Sequence, residues 1–104
     1  MSILLTEVSL LGGILMFDNI SEVKRANQLV GEFWFSEETM RFFDSQIEFF
    51  DKGTQSLIVS DKKCFDDSTR VFSVLQVSED GTITRLASNL ASFDSAEDFI
   101  ENLN

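Results

Sequence analysis

One hundred and four residues allow a single domain with a modest core, and the eighteen acids outnumber the eight bases for a formal charge of −10. With no His and one Cys, catalytic triads of the Ser-His-Asp or Cys-His kind, the usual zinc sites and an intramolecular disulfide are excluded. The surplus of carboxylates opposes nucleic acid and anionic membranes and favours basic protein surfaces.

In chain order, Met1 to Phe17 is apolar and fits two patterns. Leu4, Val8, Leu11 and Leu15 would share a helical face, whereas Ile3, Leu5 and the Thr6–Val8 run suit a strand. Gly12-Gly13 interrupts both. We read a short strand. A signal peptide is not expected, because no Lys or Arg precedes the apolar run and Glu7 breaks it. The run is also too short to span a bilayer. Met16 could serve as an internal start, so residues 1–15 read as an extension or an edge strand of a domain covering 1–104.

Ser21 to Val30 predicts a helix. Asp18, Asn19 or Ser21 can cap it, Glu22 suits its first turn, and Val23, Ala26 and Val30 form its apolar stripe. Gly31 stands where a helix end needs positive φ. A second, short helix starts at Ser36, whose hydroxyl can cap Glu38 or Thr39, and stops at Asp44-Ser45. The stretch from Gly31 to Phe50 holds the only Trp and six of the eleven Phe. Each buried ring stabilises by roughly 1.5–3 kcal/mol, so this stretch is expected to organise the core.

Four strands follow: Gln46–Phe50, Thr54–Ser60, Arg70–Val77 and Thr82–Ser88. Asp51-Lys52-Gly53 turns the first pair, with Gly53 in the left-handed position, and Ser78-Glu79-Asp80-Gly81 turns the last. The apolar triplet Leu57-Ile58-Val59 points to a strand covered on both faces or lying centrally. Asp94 to Leu103 predicts a final helix, with Asp94 and Glu97 as a capping box and Ala96, Phe99, Ile100 and Leu103 facing inward. The sum is an α+β fold: a four-stranded antiparallel sheet, with room for a fifth strand from the N-terminus, and two or three helices packed on one face.

Few residues invite chemistry. Cys64 lies beside Lys62 and Lys63, which would lower its thiol pKa, yet a plain free thiol is the simpler reading. Asp61, Asp66 and Asp67 lack the Gly and terminal Glu of a calcium loop. No Gly pattern cradles phosphate, and no metal or cofactor is expected. Arg41 sits one turn after Glu37 and Glu38, so an ion pair with them, or a guanidinium laid on an aromatic face, is expected.

The run Ala26 to Ile47, with Trp34-Phe35-Ser36, Glu38 and Thr39-Met40-Arg41-Phe42-Phe43 at its centre, resembles a family of small uncharacterised domains encoded by phages and mobile elements. The likeness extends more loosely over residues 20–103, through Ser60-Asp61, Arg70 and Asp80-Gly81. This chain has Glu32 and Phe33 where the family often has His before the Trp, and Glu37 where it often has Pro. The resemblance supplies no activity, only a setting in bacterial cytoplasm.

From Val71 onward Arg85 is the sole base, against Glu79, Asp80, Asp94, Glu97, Asp98 and Glu101. Charge and setting together imply a non-enzymatic inhibitor of the anti-CRISPR kind. Its contact face would comprise Asp66, Asp67, Glu79, Asp80, Glu97, Asp98 and Glu101. Its partner would be a basic surface of a host nucleic-acid-binding protein, with no direct nucleic acid and no membrane. The alternative is an assembly module that oligomerises through its apolar N-terminus, as a homodimer in the simplest case.

Overall fold

The computed structural model describes residues 9–11, 14–62 and 69–103. Within them, β1 (Ser9–Leu11) and β2 (Ile14–Met16) form a separate antiparallel hairpin. There follow α1 (Ile20–Leu29), α2 (Glu37–Phe42), β3 (Gln46–Asp51), β4 (Ser56–Lys62), β5 (Arg70–Val77), β6 (Ile83–Leu90) and α3 (Phe93–Glu101). The four later strands make an antiparallel meander in the order β3-β4-β5-β6. The N-terminal strands pair with each other and not with this sheet.

Side-chain alternation sorts the sheet into two faces. Leu57, Val59, Leu75, Val77 and Ile83 meet Val23 of α1 and Phe35 on one face. Ile58 and Val74 meet Ala96 and Ile100 of α3 on the other. Two helices therefore share a face, and the third lies opposite; a single helical face for all three does not hold. The cause is visible in β4, where Ser56 to Ser60 are buried in succession, so both sides of the strand need cover.

The core is also not where the aromatic stretch suggested. Leu57, Ile58, Val74 and Leu75 on the two central strands are its most enclosed residues. Of the aromatic stretch only Phe35 is fully buried, while Phe33, Phe42, Phe43 and Phe49 are exposed. A helix of six residues can press one narrow side onto a sheet, so adjacent Phe42 and Phe43 cannot both reach it.

Helix boundaries follow local hydrogen bonding. Asn19 caps α1, its side chain accepting from Glu22 N–H at 3.0 Å, and Gly31 ends it at φ +86. Ser36 caps α2 through Thr39 N–H at 3.2 Å. The cap of α3 is Ser92, which accepts from Ser95 N–H at 3.1 Å, and not Asp94. Between β3 and β4 the left-handed residue is Gln55, at φ +55, rather than Gly53. Gln55 is held there by its own amide, which accepts from Phe17 N–H at 2.8 Å and donates to Phe17 O at 2.9 Å and Lys52 O at 2.8 Å. That clamp fixes where the chain enters the domain.

Candidate functional site

The face under α1 and α2 has a closed half and an open half. In the closed half, Asn27 is 1% exposed and its amide is fully used. It donates to Glu32 Oε1 and to Gly81 O, both at 2.9 Å, and accepts from Trp34 N–H at 2.8 Å. Glu32 Oε1 also accepts from Ile83 N–H at 2.9 Å. The buried Asn27 amide would cost about 1–3 kcal/mol if left unpaired. Gly81, at φ +100, sits so close to α1 that a Cβ would fall 2.7 Å from the Ala26 backbone. Ala26 and Asn27 thus lock the β5–β6 turn onto α1.

The same network aims the aromatic segment. Phe33 adopts φ +57, a left-handed conformation that costs a side chain of its size about 1–2 kcal/mol. The bond from Trp34 N–H to Asn27 holds it, and Trp34 is delivered over the sheet. There the Arg85 guanidinium lies 5.5 Å from the Trp34 ring centre.

Beyond Trp34, α2 stops early. Asp44 turns the chain at φ +49, and Arg70 fastens this corner. Its guanidinium donates to Asp44 O at 2.7 Å, Ser60 O at 3.0 Å and Ser60 Oγ at 2.9 Å. Ser60 Oγ donates in turn to Glu48 at 2.6 Å, and the Ser45 hydroxyl bonds the Asp61 carboxylate. The corner is anchored at the ends of the central strands β4 and β5, and a cleft of about 420 Å³ remains between α2 and the strands. Trp34, Phe35, Met40 and Phe43 wall it, and Val59, Val71, Ser73 and Leu75 floor it. Asp61 and Lys62 stand at one end, Arg85 at the other.

A protein family of unknown function, DUF7447, matches residues 19–103. The chain belongs to this family. No curated protein and no solved structure matches it. The residues that carry the resemblance can now be given physical parts in this DUF7447 domain. Ala26, Asn27 and Gly81 close one half of the face, Phe35 fills the core, Ser36 and Thr39 start α2, and Asp44, Ser60 and Arg70 tie its end. Arg41 and Phe42 are left outside, and Phe43, though largely exposed, walls the cleft. Among the described residues Arg41 forms no ion pair with Glu37 or Glu38, and the cation resting on a ring is Arg85 instead.

The acidic residues fall into separate groups. Glu97, Asp98 and Glu101 lie together on α3 with Asp94, on the face opposite the cleft. Glu79 and Asp80 occupy the β5–β6 turn, which leans on α1. Asp66 and Asp67, like Cys64, lie outside the described residues. Thr82 N–H and its hydroxyl donate to Asp80 Oδ1 at 3.0 and 2.8 Å. The backbone bond first, then the hydroxyl, hold its carboxyl below the ordinary value of 3.8.

Neither the cleft nor the outward aromatic pair is apparent in the sequence pattern. Phe42 is 81% and Phe43 55% exposed, with their rings edge to face at 4.8 Å. One signal was available: two adjacent Phe closing a helix that a Ser cap and an Asp-Ser stop leave only six residues long.

Proposed function

We propose that this domain is a non-enzymatic binding protein from a phage or mobile element, acting in the host cytoplasm on a nucleic-acid-binding defence protein. The acidic surface of α3 occupies a channel whose cations otherwise neutralise phosphates. One observation carries this reading. Asp94, Glu97, Asp98 and Glu101 share one helix that has no base, and Arg85, the only base after Arg70, is drawn to Trp34 across the sheet.

Affinity capture from bacterial lysate, nuclease-treated and run at low and high salt, tests it. A nucleic-acid-binding protein retained at low salt, released at high salt, and lost with Glu97→Lys/Asp98→Lys/Glu101→Lys supports the proposal, since the screening length between exposed charges falls from about 10 Å at about 0.1 M to about 3 Å at about 1 M salt. Capture of no such protein, or capture indifferent to salt and to the triple change, overturns it.

The assembly reading keeps one specific support: the exposed pair Phe42 and Phe43, edge to face, is the kind of feature that marks protein contacts. Sedimentation separates the two. A dimer that dissociates with Phe42→Ser or on removal of residues 1–15 favours assembly.

A further inference from the structure

The cleft beside α2 is independent of the acidic helix, and its chemistry differs. We propose that it binds a small amphipathic anion: an apolar, ring-sized body, a central hydrogen-bonding group and one terminal carboxylate-like group.

Three observations define that ligand. First, a volume of about 420 Å³ lies within the roughly 300–1,000 Å³ of small-molecule sites, which are mostly apolar with a few placed polar groups. Trp34, Met40 and Phe43 supply the apolar wall. Second, Ser73 on the floor is 4% exposed, and among the described residues its hydroxyl has no hydrogen-bond partner. No fully enclosed side-chain oxygen or nitrogen is orphaned among these residues, so Ser73 Oγ opens onto the cleft it lines. A buried hydroxyl of this kind favours a ligand that bonds it. Third, Arg85 has no carboxylate partner among the described residues, and its guanidinium is held over Trp34. A positioned, unpaired guanidinium recognises a carboxylate with two donors.

The order of these groups along the floor fixes the ligand's direction. Arg85 is adjacent to Leu75 in the sheet and Asp61 to Val71, which sets the backbone positions of the two charged residues roughly 13 Å apart along β5 at about 3.3 Å per residue. Ser73 lies midway between Val71 and Leu75. The Asp61 carboxylate is occupied by the Ser45 hydroxyl and belongs to the Val71 end of the floor, whereas Arg85 belongs to the Leu75 end. The anionic group therefore sits at the Trp34–Arg85 end, the polar centre over Ser73, and the ring against Met40 and Phe43.

Hippurate has this layout and serves as the probe. Its neutral amide, hippuramide, lacks the charge, and 4-phenylbutyrate lacks the central amide. Trp34 is the only Trp and the chain has no Tyr, so its emission reports the cleft directly. Amide chemical shifts of the full chain locate the site. Hippurate is expected to saturate with Kd near or below ~1 mM, the level of a few kcal/mol of binding. Hippuramide should bind about tenfold more weakly, the range of a charge-assisted hydrogen bond. Arg85→Gln, at an exposed position, should abolish that discrimination and leave hippuramide unchanged. Ser73→Ala should weaken hippurate several-fold and not 4-phenylbutyrate, and Val71→Phe, which narrows the floor, should weaken all three.

Absence of saturation in the millimolar range overturns the proposal. So does equal affinity for hippurate and hippuramide, or shifts centred away from Trp34, Ser73 and Arg85. These outcomes leave the α3 proposal untouched, because capture by the acidic helix does not involve the cleft.

Discussion

The two halves of one sheet face were built by opposite means. Under α1, contact is made by small residues and a saturated amide: Ala26 against Gly81, and Asn27 bonded to Gly81, Glu32 and Trp34. Nothing can be enlarged there without displacing backbone. Under α2, large aromatic residues are present, yet the helix is too short to press them all onto the strands, and a cleft remains beside them. The amount of apolar surface in a segment thus says less about its burial than the length and anchoring of the element that carries it. The closed half sets the position of Trp34, and the open half presents it.

That contrast can be tested by paired truncation. Phe35→Ala should destabilise by about 3–5 kcal/mol, the cost of emptying a buried aromatic site, because Phe35 fills the core between α1 and the strands. Phe42→Ala should fall within about 0.5 kcal/mol of wild type, as surface changes do. Chemical denaturation of both variants measures the difference. Similar losses would mean that the α2 half is packed as tightly as the other.

Gly81→Ala probes the closed half itself. The new Cβ meets Ala26 at 2.7 Å on a backbone at φ +100, combining overlap with a left-handed alanine. Together these should cost about 3 kcal/mol. Gly53→Ala is the control, since its Cβ would find only an Asp51 oxygen at 3.7 Å, and a stability close to wild type is expected. If the turn shifts away from α1 without loss, the lock described above is not one.

Much of the fold could be read from local pattern. The bounds of β5, Arg70–Val77, follow from the sequence, because an Arg-led apolar run between a polar loop and an Asp-Gly turn admits little else. The cap Ser36 is recognisable from type and spacing, whereas for α1 the sequence offers Asp18, Asn19 or Ser21 and the structure selects Asn19. What escaped depends on partners distant in the chain. Gln55, not Gly53, takes the left-handed turn position because its amide reaches Phe17. Arg85 finds Trp34 only once β6 is paired, and Ser73 is seen as an open hydroxyl only when the strands beside it are in register. The cleft is an absence of cover, and no residue type encodes that. The candidate acids were legible as composition, but their division between α3 and the turn follows from the helices taking opposite faces.

The smallest expected effect concerns the turn that joins these regions. Asp80 is fully solvent-exposed, and Thr82 holds its carboxyl below 3.8 in the folded state. A depressed folded pKa means that the charged form is the one stabilised. Its contribution is complete above the unfolded value and fades as pH falls through the folded one. Asp80→Asn removes the charge but keeps an oxygen that can accept from Thr82, and Asn-Gly is itself a favourable turn pair. The sign of the stability difference at neutral pH is therefore not diagnostic; its slope is. Measured by denaturation between pH 7 and pH 2, the wild type should lose stability relative to the variant as pH drops below about 4, with the change ending once Asp80 is protonated in both states. A difference that stays constant over that range would show that the Thr82 bonds hold the turn by geometry alone, and the charge at Asp80 would then be free for a partner.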